Sequence, residues 1–511
     1  MIKVINLSIE TIQGRKLIEG LSFFLNTGDK LAIIGEEGNG KSTLLKAIYD
    51  QRLINNYCII NGTISKTGDK IGYLEQKLNS AWDNCTVLDY FLKDYPDADV
   101  DYEVYNHMQD IKNTFKTYGL NFSYIDEDMY IGHLSGGEKV KLQLSKLSIH
   151  KFDAYFLDEP TNDLDIDTLE KLEKFMKSTS MPIMFISHDE TLLENVANRI
   201  LHIEQLIKKT KPKFTLAKSG YKEYVDMRQR SINHQTQIAY SERREKAKKE
   251  EILRQIKQKV ENALVSAKKD PSSGRIIAKK MANIKAQERR NNEEELTEIP
   301  DTEEAIKLIV DTSVTIPAKK TVLKLNLPEL VAGNMVLANN VSLEIVGPEK
   351  IAIIGKNGCG KSTLIKIIVK ELENTHGIKV GYFSQNYYET LDYENSATGE
   401  LELLETSINP RTVLGSLKFT RDEMLFPISR LSEGQKAKIL LVKMIIEKNN
   451  VLVLDEPTRN LSPLSNPVIR EMLKKYNGCI ITVSHDRKFI KEICDKVYEL
   501  DGNGLHKTDM L

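Results

Sequence analysis

The sequence predicts an α/β fold that occurs twice in one chain, each copy a mostly parallel sheet flanked by helices, with a long basic α-helical hairpin between the copies. Three observations carry that expectation. The first is an internal repeat. AIIGEEGNGKSTLLKAI at Ala32 recurs as AIIGKNGCGKSTLIKII at Ala352, and LSGGEKVKLQLSKL at Leu134 recurs as LSEGQKAKILLVKM at Leu431. AYFLDEPTNDLD at Ala154 returns as VLVLDEPTRNLS at Val451 and MFISHDE at Met184 as ITVSHDR at Ile481, all three of the later pairs at an offset of 297 residues. A constant offset marks a duplicated domain. The second observation is alternation: short apolar runs ending in a glycine turn or a pair of carboxylates alternate with helical periodicity, the pattern of a parallel sheet covered on both faces. The third is that no Gly or Pro interrupts the chain from Tyr224 to Lys269.

Length sets the frame for these elements. A chain of 511 residues exceeds one hydrophobic core, and 41% apolar with 28% charged residues is the balance of a folded protein. We divide it into a first domain (1–220), a hairpin linker (221–300) and a second domain (301–511). No run approaches ~18 consecutive apolar residues and the N-terminus lacks the apolar stretch of a secretory signal, so a cytoplasmic location is expected. The five cysteines, Cys58, Cys85, Cys359, Cys479 and Cys494, contain no CxxC pair, which argues against a zinc site or a disulfide framework.

Each copy begins with a phosphate-binding loop of the form GxxxxGK[ST], Gly35–Ser42 and Gly355–Ser362, after an apolar run and ahead of a helix. Glycines there let successive N–H groups face phosphate. Gly35, Gly38, Asn39, Gly40, Lys41, Ser42 and Thr43, with Gly355, Asn357, Gly358, Gly360, Lys361, Ser362 and Thr363, are the candidate ATP-binding residues. Lys41 and Lys361 would neutralise terminal phosphates, and Ser42 and Ser362 would hold Mg2+. Gln76 in IGYLEQ and Gln385 in VGYFSQ follow, where an amide suits magnesium or the attacking water. The apolar run YFLDEP ends in Asp158 and Glu159, matched by Asp455 and Glu456. The aspartates would position magnesium and the glutamates would orient or polarise water at the γ-phosphate. His188 and His485 end a further apolar run and are candidates for contact with the γ-phosphate.

In this order, phosphate loop, glutamine, LSGGE or LSEGQ, DEPT and histidine, both copies resemble the nucleotide-binding domain of ABC-type ATPases. The resemblance implies that the two domains close head to tail within one monomer. Lys41 and Glu159 would then share a site with Ser432 and Gly434, and Lys361 and Glu456 one with Ser135, Gly136 and Gly137. Signature N–H groups at a helix N-terminus are suited to the γ-phosphate. Three departures stand out. Glu433 occupies the position of the first signature glycine in the second copy, where the first copy has Gly136, Ser462 stands where the first copy has Asp165, and neither copy shows an aromatic near the N-terminal strands to stack on adenine. The two sites are expected to be unequal.

The linker supplies the partner. From Ala239 to Asn292 there are 16 Lys and Arg against 7 Asp and Glu, in a chain whose total charge is −1. Ile252, Ile256, Val260 and Leu264 recur at four-residue spacing, DPSSG reads as a turn, and Ile277, Met281 and Ile284 form a second seam. Two such helices would pair as an antiparallel hairpin reaching about 65–70 Å. Lys268, Lys269, Arg275, Lys279 and Lys280 cluster at its tip and suit a polyphosphate surface; without aromatics, structured RNA fits better than single strands. Paired ABC domains around such a hairpin resemble ABC-F proteins, and DEPTRNLSPLS with LSEGQ is similar to their Vga- and Lsa-like antibiotic-resistance members. The resemblance implies binding to the ribosome at the tRNA exit site, against rRNA and P-site tRNA, with the linker toward the peptidyl-transferase centre. It implies protection from lincosamides, streptogramin A and pleuromutilins. A housekeeping ABC-F translation factor and the ATPase pair of a transporter with separate membrane subunits remain as alternatives. The short interval between Gln76 and Leu134 leaves little room for an added arm, and no C-terminal coiled coil is expected.

Overall fold

The computed structural model describes all residues except 69, 103–106, 127, 207–210, 267–270, 294–296, 298–314, 388–389, 405–408 and 509–511. Segments Met1–Lys222 and Glu303–Leu511 form one compact unit, and Glu223–Thr302 a second.

In the first copy, β1 (Ile2–Thr11), β2 (Lys16–Leu25), β3 (Lys30–Ile34), β4 (Cys58–Lys66) and β5 (Ile71–Leu74) precede β6 (Ala154–Asp158), β7 (Ile183–Ile186), β8 (Arg199–Gln205) and β9 (Lys211–Ala217). Strands β2-β1-β4 make an antiparallel sheet, and β5-β6-β7-β3-β8-β9 a sheet that is parallel except for its last strand. Every residue of β3, β6 and β7 is buried, which is why these strands read as unbroken apolar runs rather than as alternations. Because β6, β7 and β3 are neighbours in parallel register, with Asp158 opposite Ile186, the residues that follow them emerge at one edge of the sheet. That edge, at the carboxyl ends of the strands, is where such sheets bind ligands.

The second copy repeats the order. Strands β10 (Thr321–Ala332) and β11 (Met335–Val346) pair, and β12 (Lys350–Ile354), β13 (Val380–Phe383), β14 (Val451–Asp455), β15 (Cys479–Val483), β16 (Lys496–Asp501) and β17 (Gly504–Thr508) form a sheet ordered β13-β14-β15-β12-β16-β17. The α/β class predicted from the repeat is the observed one. One difference matters for the site. The second copy runs from its phosphate-loop helix, Lys361–Glu373, to β13 through 374–379, whereas the first interposes a loop and β4.

In the second unit, helices Tyr221–Ser266 and Pro271–Glu293 run antiparallel. Lys257 Nζ is 2.8 Å from Glu288 Oε1, and the Glu242 carboxylate accepts from the Thr297 N–H at 2.7 Å and from its hydroxyl at 3.0 Å. The first seam differs from the sequence expectation: Ile252 and Ile256 are 58% and 44% exposed and Leu253 (8%) is buried, whereas Ile284 (6%) of the second seam is buried as expected. A strict four-residue spacing rotates around a helix of 3.6 residues per turn, so only alternating steps of three and four keep one stripe facing a partner. The predicted turn DPSSG also differs, since Pro271 opens the second helix, a position where its missing N–H costs nothing. Of the tip residues, Lys268 and Lys269, like the side chains of Arg275, Ile277 and Leu264, lie outside the described residues, and Lys279 and Lys280 are exposed.

Candidate functional site

Each phosphate loop is fixed by backbone geometry that only glycine adopts freely. Gly35 and Gly355 have φ of +150° and +151°, and a Cβ there would lie 2.3 Å from the Ile203 carbonyl oxygen or 2.5 Å from that of Leu500. The loop thereby lies flat against the adjacent strand. Lys41 Nζ donates to the carbonyls of Gly35 (2.9 Å) and Glu36 (3.1 Å), and Lys361 Nζ to those of Gly355 (2.8 Å) and Lys356 (2.9 Å). Burial lowers the pKa of both ammonium groups. Each amine thus stands across its own loop, hydrogen-bonded to neutral carbonyls that anionic phosphate oxygens can replace. The Asn39 side-chain amide donates to the Ile203 carbonyl at 3.1 Å and anchors the loop to β8.

The carboxylates close the site. Ser42 Oγ donates to Asp158 Oδ1 at 3.0 Å, and Gln385 Nε2 to Asp455 Oδ1 at 3.2 Å, while Ser362 also bonds Asp455. Gln76 lines the first pocket without a corresponding bond to Asp158. Glu159 and Glu456 both hold positive φ, 50° and 51°, a conformation unusual for any residue but glycine and concentrated at functional sites. Their N–H groups are tied to Ile186 and Val483 carbonyls at 3.0 and 2.9 Å, which over-determines the turn. His188 Nε2 lies 3.0 Å from Glu159 Oε1, but His485 Nε2 is 3.8 Å from Glu456 Oε1.

That difference separates the two electrostatically. Burial pushes Glu159 upward, yet the charge and hydrogen bond of His188, with Lys41 behind, outweigh it and hold this carboxyl below its ordinary range. Burial and the neighbouring Asp455 push Glu456 up to about 8, and burial with Lys361 takes His485 down to about 3. Asp158 is raised to about 6 by burial beside Glu159.

The signatures reach the opposite copies. Ser135 and Ser432 cap helices Gly136–Ile149 and Glu433–Ile446 through reciprocal bonds with Glu138 and Gln435. Gly434 N–H donates to Glu37 Oε2 of the first phosphate loop at 2.8 Å. A Cβ on Gly137 would meet Asn357 Nδ2 at 2.7 Å and the Asp163 carbonyl oxygen at 2.4 Å, and one on Gly136 the Asp163 carboxylate at 3.0 Å. Gly434 therefore lies against the Lys41 loop and Gly137 against the Lys361 loop, while Gly136 meets Asp163 of its own copy. The departures also find local accounts. Glu433 turns back onto Lys436 Nζ at 2.8 Å. Asp165 caps helix Ile166–Ser178 through Thr168 and pairs with buried Lys141 at 2.9 Å, and its charge is felt by Lys361 and His485 of the second pocket, a charge that Ser462 does not carry at the corresponding position.

A cavity of about 360 Å³ lies over the first phosphate loop, bounded by Lys41, Gln76, Glu159 and His188 and by Arg459 and Asn460 of the second copy. Three participants were missed from sequence. Arg459 pairs with Asp163 at 2.8 Å across the copies. Arg15 donates to the Gly38 carbonyl at 3.2 Å. Tyr57, from the loop before β4 rather than from the N-terminal strands, lines the cavity beside Thr43. Among the described residues the second copy shows no counterpart of β4 or of that loop.

A family model described as "ABC transporter" matches residues 18–162 and 338–459. The ATP-binding protein Uup of Buchnera aphidicola subsp. Acyrthosiphon pisum is 27% identical, over 99% of this chain and 82% of its own. The putative ATP-binding protein YdiF of Bacillus subtilis is 28% identical over 99% and 81%, and ABC transporter F family member 2 of Arabidopsis thaliana 26% over 97% and 76%. Among solved structures, the complex of archaeal ribosomal stalk protein aP1 with the archaeal ribosome recycling factor aABCE1 shares the fold at TM-score 0.60 and 15% identity, covering 98% of this chain and 89% of that one. A model of ribosome-bound archaeal Pelota and ABCE1 does so at TM-score 0.55 and 16% identity, covering 98% and 78%. Among the described residues no helix is long and apolar enough to cross a membrane.

Proposed function

The chain belongs to the ABC transporter family, as a tandem ATPase of the ABC-F type, and from that premise we propose that it binds the ribosome when ATP closes its two copies and protects the large subunit from antibiotics. The observation that carries ribosome binding is the second unit: a helical hairpin with 16 basic residues between Ala239 and Asn292 and with Lys279 and Lys280 exposed. Clustered cations of this kind match a phosphate backbone. Two solved structures that share the fold contain ribosome-associated proteins by their own descriptions, which is in keeping with the proposal. The resistance role rests on DEPTRNLSPLS and LSEGQ in the second copy; a housekeeping translation factor would carry the same hairpin and ATP sites.

The site residues divide the work as follows. Magnesium would be held at Ser42 and Asp158, with Gln76, and at Ser362, Asp455 and Gln385; buried Asp158 Oδ2 has no hydrogen-bond partner, so a ligating oxygen is free there. When bound, the ion neutralises charge on the phosphate oxygens. Lys41 and Lys361 exchange loop carbonyls for phosphate. Glu159 orients the attacking water as an ionised carboxylate, positioned by His188. Glu456 lies farther from His485 than Glu159 does from His188, so the two pockets hydrolyse at unequal rates. The Ser135 to Gly137 and Ser432 to Gly434 turns donate across the copies and couple closure to ATP.

The test is sedimentation of lysate from cells expressing Glu159→Gln plus Glu456→Gln, which traps ATP. Co-migration with intact ribosomes is expected. Association with membranes instead would favour a transporter motor and refute the proposal. Inhibitory concentrations of lincosamides and pleuromutilins in cells expressing the intact chain then decide the resistance role: a rise is expected, and no change assigns the housekeeping role.

A further inference from the structure

The two phosphate loops differ where they face the opposite signature. The first reads GEEGNGKS and the second GKNGCGKS, so Glu36 and Glu37 stand where the second copy has Lys356 and Asn357. Asn357 uses its amide to donate to the Asp163 carbonyl, a neutral contact beside Gly137. Glu37 instead brings a carboxylate into the pocket, and its Oε2 accepts the Gly434 N–H at 2.8 Å. Gly434 lies in the first turn of helix Glu433–Ile446, where unpaired N–H groups and the helix dipole favour an anion. Lys418 Nζ, 3.3 Å from Glu36 Oε1, adds a second tie between the same loop and the second copy.

We propose that Glu37 is an internal occupant of the signature: its carboxylate holds the Gly434 N–H in the place of the terminal phosphate, and ATP has to displace it before the first pocket closes. The inference rests on the pairing of the Lys41 pocket with Ser432 and Gly434. One N–H makes one strong hydrogen bond, and two anions at the same donor repel each other strongly in a site shielded from water. ADP ends one phosphate short and leaves Glu37 where it is. The first pocket therefore discriminates against the triphosphate, a selectivity the neutral Asn357 does not impose on the second. After hydrolysis the same carboxylate recaptures Gly434, which keeps the two copies in contact at this corner while product leaves.

The experiment measures Kd for magnesium AMP-PNP and for magnesium ADP on the full chain carrying Lys361→Ala, so that only the first pocket loads. Glu37→Gln is expected to tighten AMP-PNP by about tenfold, the size of one charge-assisted hydrogen bond returned to the nucleotide, and to change ADP by less than about twofold. Retained ADP binding shows that the variant is folded. Equal changes for both nucleotides, or none for either, overturn the role of Glu37. Ser432→Ala separates the two ways of failing: if it also leaves AMP-PNP affinity unchanged, the pairing of this pocket with the second signature is wrong; if it weakens AMP-PNP while Glu37→Gln does nothing, only the role of Glu37 is. As a reciprocal test, Asn357→Glu in a Lys41→Ala chain should weaken AMP-PNP at the second pocket and spare ADP, and a loss of both overturns the proposal.

Discussion

Replacing Glu456 with Gln should stabilise the nucleotide-free chain, and increasingly so as pH rises. Folding moves this carboxyl from 4.5 to about 8, chiefly through burial, so the folded chain binds a proton that the unfolded chain has released across that interval. Stability must then fall as pH rises from 4.5 to about 8, and be flat in this group outside it. At about 1.36 kcal/mol per pH unit, the shift corresponds to on the order of 4 kcal/mol by pH 8. Glutamine keeps the shape and carries no proton to lose, so the difference between variant and parent grows from near zero at low pH toward that value. Calorimetric melts of both proteins between pH 5 and 8 read it, at roughly 2–4 °C per kcal/mol for a domain of this size. Glu159→Gln should behave oppositely, because Glu159 is held below its ordinary range beside His188: its contribution is present above the unfolded value of 4.5 and is lost as pH falls. Parallel melting curves for Glu456→Gln and the parent across the range would refute the assignment of a neutral Glu456.

Three further outcomes follow from particular contacts. Arg470 Nη1 and Nη2 lie 2.5 and 3.1 Å from the Glu190 carboxylate across the two copies, with both side chains buried, and Lys488 Nζ lies 3.0 Å from the same carboxylate, so Arg470→Ala leaves buried Glu190 with one cationic partner and should cost about 1–3 kcal/mol in urea unfolding, less in Arg470→Met with Glu190→Gln. Tyr57→Ala should weaken adenine nucleotides at the first pocket by about three- to tenfold, the worth of one aromatic contact, and leave the second pocket unchanged in titrations of single-pocket variants. Lys279→Glu with Lys280→Glu should lower ribosome affinity, flatten its salt dependence and spare ATP binding, as read by sedimentation against salt and by nucleotide titration.

What the sequence made legible was chemistry carried by short contiguous segments. The phosphate loops, YFLDEP and the terminal histidines each put their reactive residue at a fixed distance from a buried strand, and parallel pairing of β6, β7 and β3 delivers them to one edge. Contacts that cross between copies left no such trace. Arg459 meets Asp163, and Glu37 meets Gly434, only because the domains face each other head to tail, and no local spacing encodes that. Tyr57 escaped notice because it enters from the loop before β4, an element with no counterpart among the described residues of the second copy, so the repeat gave no guide to it. In the hairpin, Ile252 and Ile256 attracted attention by their four-residue interval, but the helix turns such a row away from its partner and Leu253 takes the buried place.

Ribosome binding by this chain is proposed to depend on ATP-driven closure of its paired copies. That dependence is tested most directly by measuring the affinity of the purified Glu159→Gln, Glu456→Gln chain for purified ribosomes with ATP, with ADP and without nucleotide. Binding should be tight with ATP, fall to the nucleotide-free level with ADP, and be lost with Lys41→Ala plus Lys361→Ala. Binding equal in all three nucleotide states, or none in any of them, would contradict it.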